Sequence, residues 1–553
     1  MPSITLNGRQ HDFEPGETIL QVALRNEVEI PHYCYHPGLS IVANCRICLA
    51  EVWAPNPRND NKLEPFPKLV PTCQQTASDG MVVHTDSPKS VANQKQVMEL
   101  LLINHPVDCP VCDQAGECHL QDYSYQYGRG ESRFREDKNK QPKKSVGPNV
   151  LLYSDRCIMC TRCVRFTREV TETGELMVDG RGSTEQIDVF PGVPLDNELA
   201  SNVIDLCPVG ALLDKDFLFK QRVWFLTKTA SIDGITSSGD NIWVEHSDGE
   251  VRRVKPRENP EVNHWWITDE VRYGWKFVHS EDRLRMPAIH GRDPFDAVVA
   301  GDAWRESIAT ANRTLEAART DGGRLGMLVS PMLSCEDAYL LARWIRILDP
   351  EAVLAVGPVP VDGEDRSYGE YVVRAEKAPN ARGVRRVLAG VMGCDETAVL
   401  DAEAFEKDAA AGAFAATVVT GNYPSRWMTP SLAAAVVARP FILMDTLASP
   451  VSDAATVLLP SVTWVEKAGS FQNATDRVQA FERAIQPIDF CKSEAQIALD
   501  LTAELEGRPA TRYDAERTRA EISAIPSLGG FRSEVARPEA KVSIESDMVT
   551  MDL

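Results

Sequence analysis

Eleven of the fourteen cysteines of this 553-residue chain fall between Cys34 and Cys207; only Cys335, Cys394 and Cys491 follow. The eleven come in three groups. Cys34, Cys45, Cys48 and Cys73 have the spacing C-x10-C-x2-C-x24-C. Cys109, Cys112 and Cys118 stand with His105 in "NHPVDCPVCDQAGEC". Cys157, Cys160 and Cys163 stand in "DRCIMCTRCVRF", with Cys207 far downstream in "DLCPVGAL". In a reducing compartment, thiols grouped this way bind metal or carry redox chemistry rather than pair as disulfides. The tally closes, since eleven cysteines and one histidine make three sets of four with none left over.

The elements that must hold the first set can be read upstream of it. "SITLNGRQHDFEPGETILQVALRNEVEIPHYC" gives a strand, an "NG" hairpin turn, a second strand and a helix opened by "PGET". Strand, hairpin and helix ahead of a cysteine loop resemble a plant-type ferredoxin, whose four thiolates hold [2Fe–2S]. The x10 spacing departs from the usual x4 and fits a longer loop. Tetrathiolate zinc is the alternative, because it also uses C-x2-C pairs.

In the second set, a histidine sits four residues before C-x2-C-x5-C and just after the amphipathic stretch "KSVANQKQVMELLLI". Three cysteines leave one iron of a cubane without a ligand, and a neutral imidazole can supply it. Zinc on three cysteines and a histidine stays open as an alternative. The third set resembles the bacterial ferredoxin run C-x2-C-x2-C-x3-C-P, except that its x3 position holds Thr167. The fourth ligand is therefore Cys207, which carries the flanking Pro208, and the four make one [4Fe–4S] site. Arg162 and Arg165 beside it read as a salt-bridged surface before a tuning pair.

With these groups in hand, the front is similar to the large iron–sulfur subunit family of respiratory complex I (NADH-quinone oxidoreductase), which includes the bacterial G subunit and the mitochondrial 75-kDa subunit. "NHPVDCPVCDQAGECHLQD", "DRCIMCTRCVRF" and "DLCPVGALLDKDF" carry the resemblance. It implies one [2Fe–2S] and two [4Fe–4S] clusters and no substrate site on the chain itself. Electrons would arrive from a flavin- and NADH-binding partner at the [2Fe–2S] centre. They would pass the tetracysteinyl cubane and then the His-ligated one, and leave toward membrane-side iron–sulfur subunits and quinone. It also implies a peripheral place on the cytoplasmic side of the inner (plasma) membrane.

Relatives of this kind often carry a further cubane in a pattern that looks like S-[IV]-C-x2-C-x3-C-N-I, with a last cysteine downstream. Laid on "TASIDGITSSGDNI" and "WWITDE", its four places become Asp233, Thr236, Asp240 and Thr268. Threonine cannot replace a thiolate on iron. The loop reads as a cluster site that has lost its cluster, with a hard cation on Asp233 and Asp240 as the rival.

From about Asp282, short apolar runs ("RLGMLVSP", "EAVLAVGPVP", "AATVVTGNYP", "PFILMD", "AATVLLP") alternate with helical stretches, the pattern of a parallel α/β sheet. Val457–Ile485 resembles a molybdopterin-oxidoreductase segment. Molybdenum is not expected there, because the preceding cluster is missing and Cys335, Cys394 and Cys491 form no ligand motif. Cys335 reads as a small, partly buried hydrophobe. The expected class is a mixed α/β and α+β multidomain chain with five parts. First come a β-grasp [2Fe–2S] ferredoxin-like domain (1–80) and a helical [4Fe–4S] segment with one histidine and three cysteines as ligands (81–145). A bacterial-ferredoxin-like [4Fe–4S] domain (146–220) and a degenerate fourth-cluster domain (221–280) follow. The last part is a truncated, structural molybdopterin-oxidoreductase-like α/β domain without molybdenum (281–553).

Composition excludes other classes. The chain is 43% hydrophobic and 25% charged, with net charge -21, which opposes nucleic acid. Its longest apolar runs are short or broken by Arg439 and Pro440, so no transmembrane helix is expected. The opening "MPSITLNGRQHDF" shows no signal-peptide pattern. No G-x-G-x-x-G follows a strand, which leaves nicotinamide and flavin to a partner. The basic stretch Arg133–Lys144 reads as a solvated loop and the tail from Glu534 as lacking helical periodicity. The alternative function is an iron–sulfur or catalytic subunit of a soluble NAD-linked formate dehydrogenase or hydrogenase.

Overall fold

The computed structural model describes residues 2–292, 300–320 and 322–538. The chain divides near Leu226 into two compact units. The last residues of the tail, from 539 on, lie outside the described residues.

The first unit opens with the expected hairpin. Strands Ser3–Leu6 and Arg9–Asp12 pair antiparallel through Asn7-Gly8. Both turn residues have positive φ, which Asn and Gly tolerate best. Thr18 caps helix Ile19–Arg25 in a reciprocal capping box with Gln21. Ser3–Leu6 then pairs parallel with Val82–His84, which pairs antiparallel with Leu49–Asn56, closing a mixed sheet over the helix. Ile4, Leu6, Ile19, Leu20, Val22, Val52 and Val83 form its core, and Cys48 and Cys73 belong to that same cluster.

Helix Pro88–Leu102 follows, capped by Ser87 with Pro88 at its first turn. The basic stretch after Arg133 does more than meet solvent. Arg133 pairs with Glu99, and Lys138 Nζ donates to the last carbonyls of the helix, Leu102 (2.7 Å) and Ile103 (2.9 Å). Downstream, Val150–Tyr153 lies between Lys143–Ser145 and Leu212–Asp214 in a three-stranded antiparallel sheet. Helices Arg162–Glu169 and Asn202–Leu206 lead from one cysteine run and into the other.

The second unit begins with an antiparallel sheet of Thr227–Ile232, Asn241–Ser247 and Glu250–Pro256. All five apolar runs of the back half become strands of one sheet, Leu325–Val329, Val353–Val356, Ala416–Thr420, Phe441–Asp445 and Val457–Pro460. They pair parallel in the spatial order second, first, third, fourth, fifth, with the short strand Ala288–Ile289 antiparallel at one edge. Near-continuous Val, Leu and Ile is what a strand buried on both faces requires.

That sheet order reverses between Leu325–Val329 and Ala416–Thr420, where an open α/β fold takes its ligand. Here the chain fills the place itself. Tyr423 is buried and stacks on Trp427, with ring centroids 4.9 Å apart and planes at 19°. Its hydroxyl donates to Pro358 O at 2.7 Å, and Trp427 Nε1 donates to Asp445.

Beside the plug lies a buried charge triad. Lys467 Nζ is 2.8 Å from Asp337 and 2.5 Å from Glu494, with all three side chains at most 2% exposed. Asp337 also caps helix Cys335–Leu348 and accepts from Ala495 N. Burial alone would depress the lysine, but the two carboxylates outweigh it and raise its pKa. Lys467→Met should therefore cost about 3–5 kcal/mol, because it strands two buried carboxylates. Urea unfolding of the two chains, compared at neutral pH, measures the loss.

Candidate metal centres

The first set closes around the β-grasp sheet. Cys48 feeds directly into strand Leu49–Asn56, and Thr72 Oγ1 donates to Cys48 O at 3.0 Å. Leu20 N, in the first turn of the helix, donates to Thr72 O and so holds the Cys73 turn. The Cys48 and Cys73 sulfurs are 3.6 Å apart. Two thiolates on one tetrahedral centre with ~2.3 Å bonds would stand ~3.8 Å apart. Hydrogen bonds from the Cys45 and Cys73 thiols hold Cys34 well below the ordinary thiol range. Ala43 and Arg46 lie on either side of Cys45 with positive φ. Such turns aim successive N–H groups inward at an anion.

In the second set, His105 follows helix Pro88–Leu102, and Cys118 starts helix His119–Tyr127. Burial takes the imidazole down to about 4, so it is neutral at neutral pH, and its buried Nδ1 has no hydrogen-bond partner among the described residues. A neutral ring with a free nitrogen is what a metal ligand requires. Cys112 packs on Gly210, where a Cβ would stand 2.3 Å from its sulfur. The Gly210 of "DLCPVGAL" is thus a close-approach glycine, joining the second and third sets.

The third set lines one cavity. Cys157, Cys160, Cys163 and Cys207 face it together with Leu152 and Ile187, so its wall is largely apolar apart from sulfur. Burial raises all four thiols, Cys207 to about 11. Met159 N donates to Cys157 Sγ at 3.4 Å, and Met159 and Thr161 flank Cys160 with positive φ, much as Ala43 and Arg46 lie about Cys45. All fourteen cysteines are free thiols. Among the described residues no group of three or more His, Cys, Asp or Glu closes on a single metal ion. The sulfurs around a cavity fit an iron–sulfur group that spans it.

One apolar cluster joins the sets. It contains Cys34, Cys118 and Cys160, one from each, with Tyr33, Ile47, Met98 and Val209, and Cys45, Cys157 and Cys207 pack against it. Arg162 and Arg165 are not a surface pair, being 3% and 8% exposed. Local pattern carries no sign of this, because their acceptors lie 125 to 131 residues upstream. Cys335 is fully rather than partly buried, Cys491 is buried and Cys394 is exposed.

Asp233, Thr236, Asp240 and Thr268 are all buried, and each is engaged within the protein. Asp233 accepts from Ile235 N (2.8 Å), Thr236 N (3.0 Å), the Thr236 hydroxyl and Ser238 Oγ. Asp240 accepts from Tyr371 Oη at 2.7 Å, while Thr268 caps helix Asp269–Tyr273. Asn473 and Gln479, from the molybdopterin-like hairpin, donate to Ser238 O and Gly239 O. Trp464 lies so close to Gly234 that any side chain there would strike its ring. All four places are thus hydrogen-bonded within the protein.

Five family models match in chain order. They are the 2Fe-2S iron-sulfur cluster binding domain (2–88), the NADH-ubiquinone oxidoreductase-G iron-sulfur binding region (94–133), and the ferredoxin-like domain of NADH-quinone oxidoreductase subunit 3 (147–213). The NADH-ubiquinone oxidoreductase NDSU1/NuoG-like 4Fe-4S domain (226–276) and molybdopterin oxidoreductase (432–504) follow. The stretch 226–276 contains no cysteine, so the match there brings the frame without thiolate ligands.

The chain is 38% identical over 352 residues to the mitochondrial NADH-ubiquinone oxidoreductase 78 kDa subunit of Candida albicans, covering 63% of this chain and 47% of that protein. It is 36% identical over 348 residues to the G subunit of NADH-quinone oxidoreductase from Rickettsia felis, covering 63% and 49%. The mitochondrial NADH dehydrogenase [ubiquinone] iron-sulfur protein 1 of Solanum tuberosum is 44% identical over 295 residues, covering 53% and 38%. The chain thus spans about half or less of the length of these relatives. The crystal structure of an NAD+-reducing [NiFe]-hydrogenase in the H2-reduced state matches at 27% identity and a TM-score of 0.35, over 40% of this chain and 91% of that one, too loosely to carry an argument. From residue 2 to 276 the chain is similar, domain by domain, to the large iron–sulfur subunit family of NADH-quinone oxidoreductase.

This hydrogen-bonded loop has a pH signature. Burial raises Asp233 to about 6, and burial followed by the Asp233 charge raises Asp240 to about 8, with Arg374 opposing the latter. Both carboxyls bind protons more tightly folded than unfolded, so this loop's stability is greatest at acid pH and falls as pH rises from about 4 to 8. Asp240→Asn should match the native protein near pH 4 and exceed its thermal midpoint at pH 8 by at least about 2–4 °C. Melting curves across that range decide it.

Proposed function

We propose that this chain is an electron-carrying subunit of an NADH:quinone oxidoreductase. Cys34, Cys45, Cys48 and Cys73 would hold one [2Fe–2S] cluster. His105, Cys109, Cys112 and Cys118 would hold one [4Fe–4S] cluster, and Cys157, Cys160, Cys163 and Cys207 the other. When bound, the clusters supply one-electron centres between a flavin- and NADH-binding partner and membrane-side iron–sulfur subunits that deliver to quinone. The observation that carries the reading is the single apolar cluster to which all three sets contribute cysteines.

The chain's own work is to hold and insulate. Its thiolates and His105 fix the ligand number, the shared core excludes water, and inward N–H groups such as Met159 N meet sulfur. No helix among the described residues is long and apolar enough to cross a membrane. A peripheral position on the cytoplasmic face, docked on membrane-bound partners, belongs to the same proposal. Molybdopterin has no part in this reading, which the Tyr423–Trp427 stack at the sheet's switch point supports.

Purified protein should return about ten iron atoms per chain with matching acid-labile sulfide, and three distinct paramagnetic centres on stepwise reduction. Zinc in place of iron, or about eight or fourteen irons, would overturn the reading. His105→Cys substitutes an anionic thiolate for a neutral ring. That cubane should stay assembled with its midpoint moved to lower potential, and an unchanged potential and line shape would remove His105 from the ligand set.

A further inference from the structure

The helix that begins two residues after Cys160 points two arginines away from solvent. Arg165 Nη1 donates to Ser40 O at 2.5 Å, and its Nη2 donates to Cys34 O at 2.5 Å and approaches Cys160 O at 3.5 Å. Arg162, one turn earlier, donates to Tyr35 O. The Arg165 side chain therefore touches the backbone of one candidate ligand from each of two sets, Cys34 of the first and Cys160 of the third.

Its charge is the unusual part. Arg165 is 8% exposed, yet among the described residues no carboxylate comes within ion-pair distance of it. The charge of Glu169 favours the cation only from beyond ion-pair distance, its oxygens accepting from Ser40 N at 2.8 Å and Ser40 Oγ at 2.6 Å. Carbonyls take both terminal nitrogens, the buried Nε has no hydrogen-bond partner among the described residues, and none of these acceptors supplies a countercharge in contact. A buried cation without one is costly, and natural proteins keep such groups only where an opposite charge is close. Tetrathiolate iron–sulfur clusters are anionic and gain one further negative charge on reduction. Two such groups on either side would add the close counter-ions that Glu169 does not provide.

We propose that Arg165 is a positioning residue shared by the [2Fe–2S] site and the tetracysteinyl [4Fe–4S] site. It ties the Cys34 loop to the Cys160 turn, and its one positive charge favours the reduced state of both. The inference rests on the cluster assignment above. A purely mechanical role, in which the fork merely staples two loops, is the competing account, and charge separates the two. Arginine suits both tasks, because its planar fork reaches several acceptors while the charge stays fixed at all accessible pH.

The experiment is a redox titration of the intact, cluster-loaded chain, followed by low-temperature paramagnetic resonance, on Arg165→Gln, Arg165→Lys and a chain with citrulline at 165. Citrulline keeps most of the fork and is neutral, so it decides the matter if the glutamine variant loses iron. In the neutral variants both centres should move to lower potential together. At a fixed poise near the native midpoints, the reduced-to-oxidised ratio should fall about tenfold, which is about 59 mV for a one-electron centre. The His105 centre should not move, and Arg165→Lys should return both shifted centres toward native values. Assembled clusters with unmoved potentials in the citrulline chain would overturn the proposal, as would equal shifts in the lysine and neutral variants. Absence of iron–sulfur signals from the native protein would instead defeat the cluster assignment itself.

Discussion

The first unit depends on one electrostatic constraint, namely that sulfur from three separate sets is packed into a common apolar interior. Thiols raised by burial, as Cys118, Cys157, Cys163 and Cys207 are, resist becoming thiolates on their own. Only a polyvalent positive centre makes their ionisation favourable. Metal binding and folding of such a core are therefore linked, because the ligands converge only in the folded chain and ionise only in the loaded one. The sheet over helix Ile19–Arg25, the Thr72 hydrogen bonds and the Gly210 contact all bring those sulfurs together against their mutual repulsion. The N–H groups turned inward beside Cys45 and Cys160 offset part of the same charge.

Much of this was legible in local pattern. The Asn7-Gly8 turn, the Thr18 cap and the Val- and Leu-rich strands of the parallel sheet follow from φ preferences, capping chemistry and burial on both faces, each acting within a few residues. The grouping of the cysteines was legible for the same reason, since C-x2-C spacing keeps thiols within a few residues' reach, and one apolar cluster takes a cysteine from each group. What escaped was the work of residues whose partners are distant in sequence. Lys138 caps a helix 35 residues upstream, and Arg165 finds its acceptors 125 and 131 residues away. A basic loop and two arginines beside a cysteine run carry no mark of such partners. Tyr423 filling the sheet's switch point was equally silent, because a tyrosine after a strand looks like any core aromatic.

The two units meet the cost of buried charge in opposite ways. In the first, the candidate counter-ions for sulfur come from outside the polypeptide. In the second they are built in, as the Lys467 ammonium between Asp337 and Glu494, the Arg519–Glu336 pair and the Arg283–Glu466 pair, all with side chains at most 3% exposed. Such pairs are weak evidence of stability, but each is intolerant of losing one partner. Glu336 and Asp337 lie in helix Cys335–Leu348 and Glu494 opens helix Glu494–Leu505, so the pairs tie these helices to their neighbours.

The loop around Asp233 shows how one solution gives way to the other. A cluster site that loses its thiolates leaves a hollow lined by backbone N–H groups aimed at an absent anion, and orphaned buried donors are expensive. Aspartate at 233 restores an acceptor in the same hollow, taking the amides of Ile235 and Thr236 along with two hydroxyls. Thr268, laid on the last cysteine of the resembled pattern, is a helix cap here. Asp240 is the incomplete step. It gains the Tyr371 hydroxyl but sits beside a second carboxyl in a dry interior, so the repair carries a proton that a cluster would not have needed. The hairpin at Asn473 and Gln479 then holds the repaired loop by its carbonyls. A frame matched to a 4Fe-4S domain thus stands here without cysteines, with Asp233, Thr236, Asp240 and Thr268 each hydrogen-bonded within the chain.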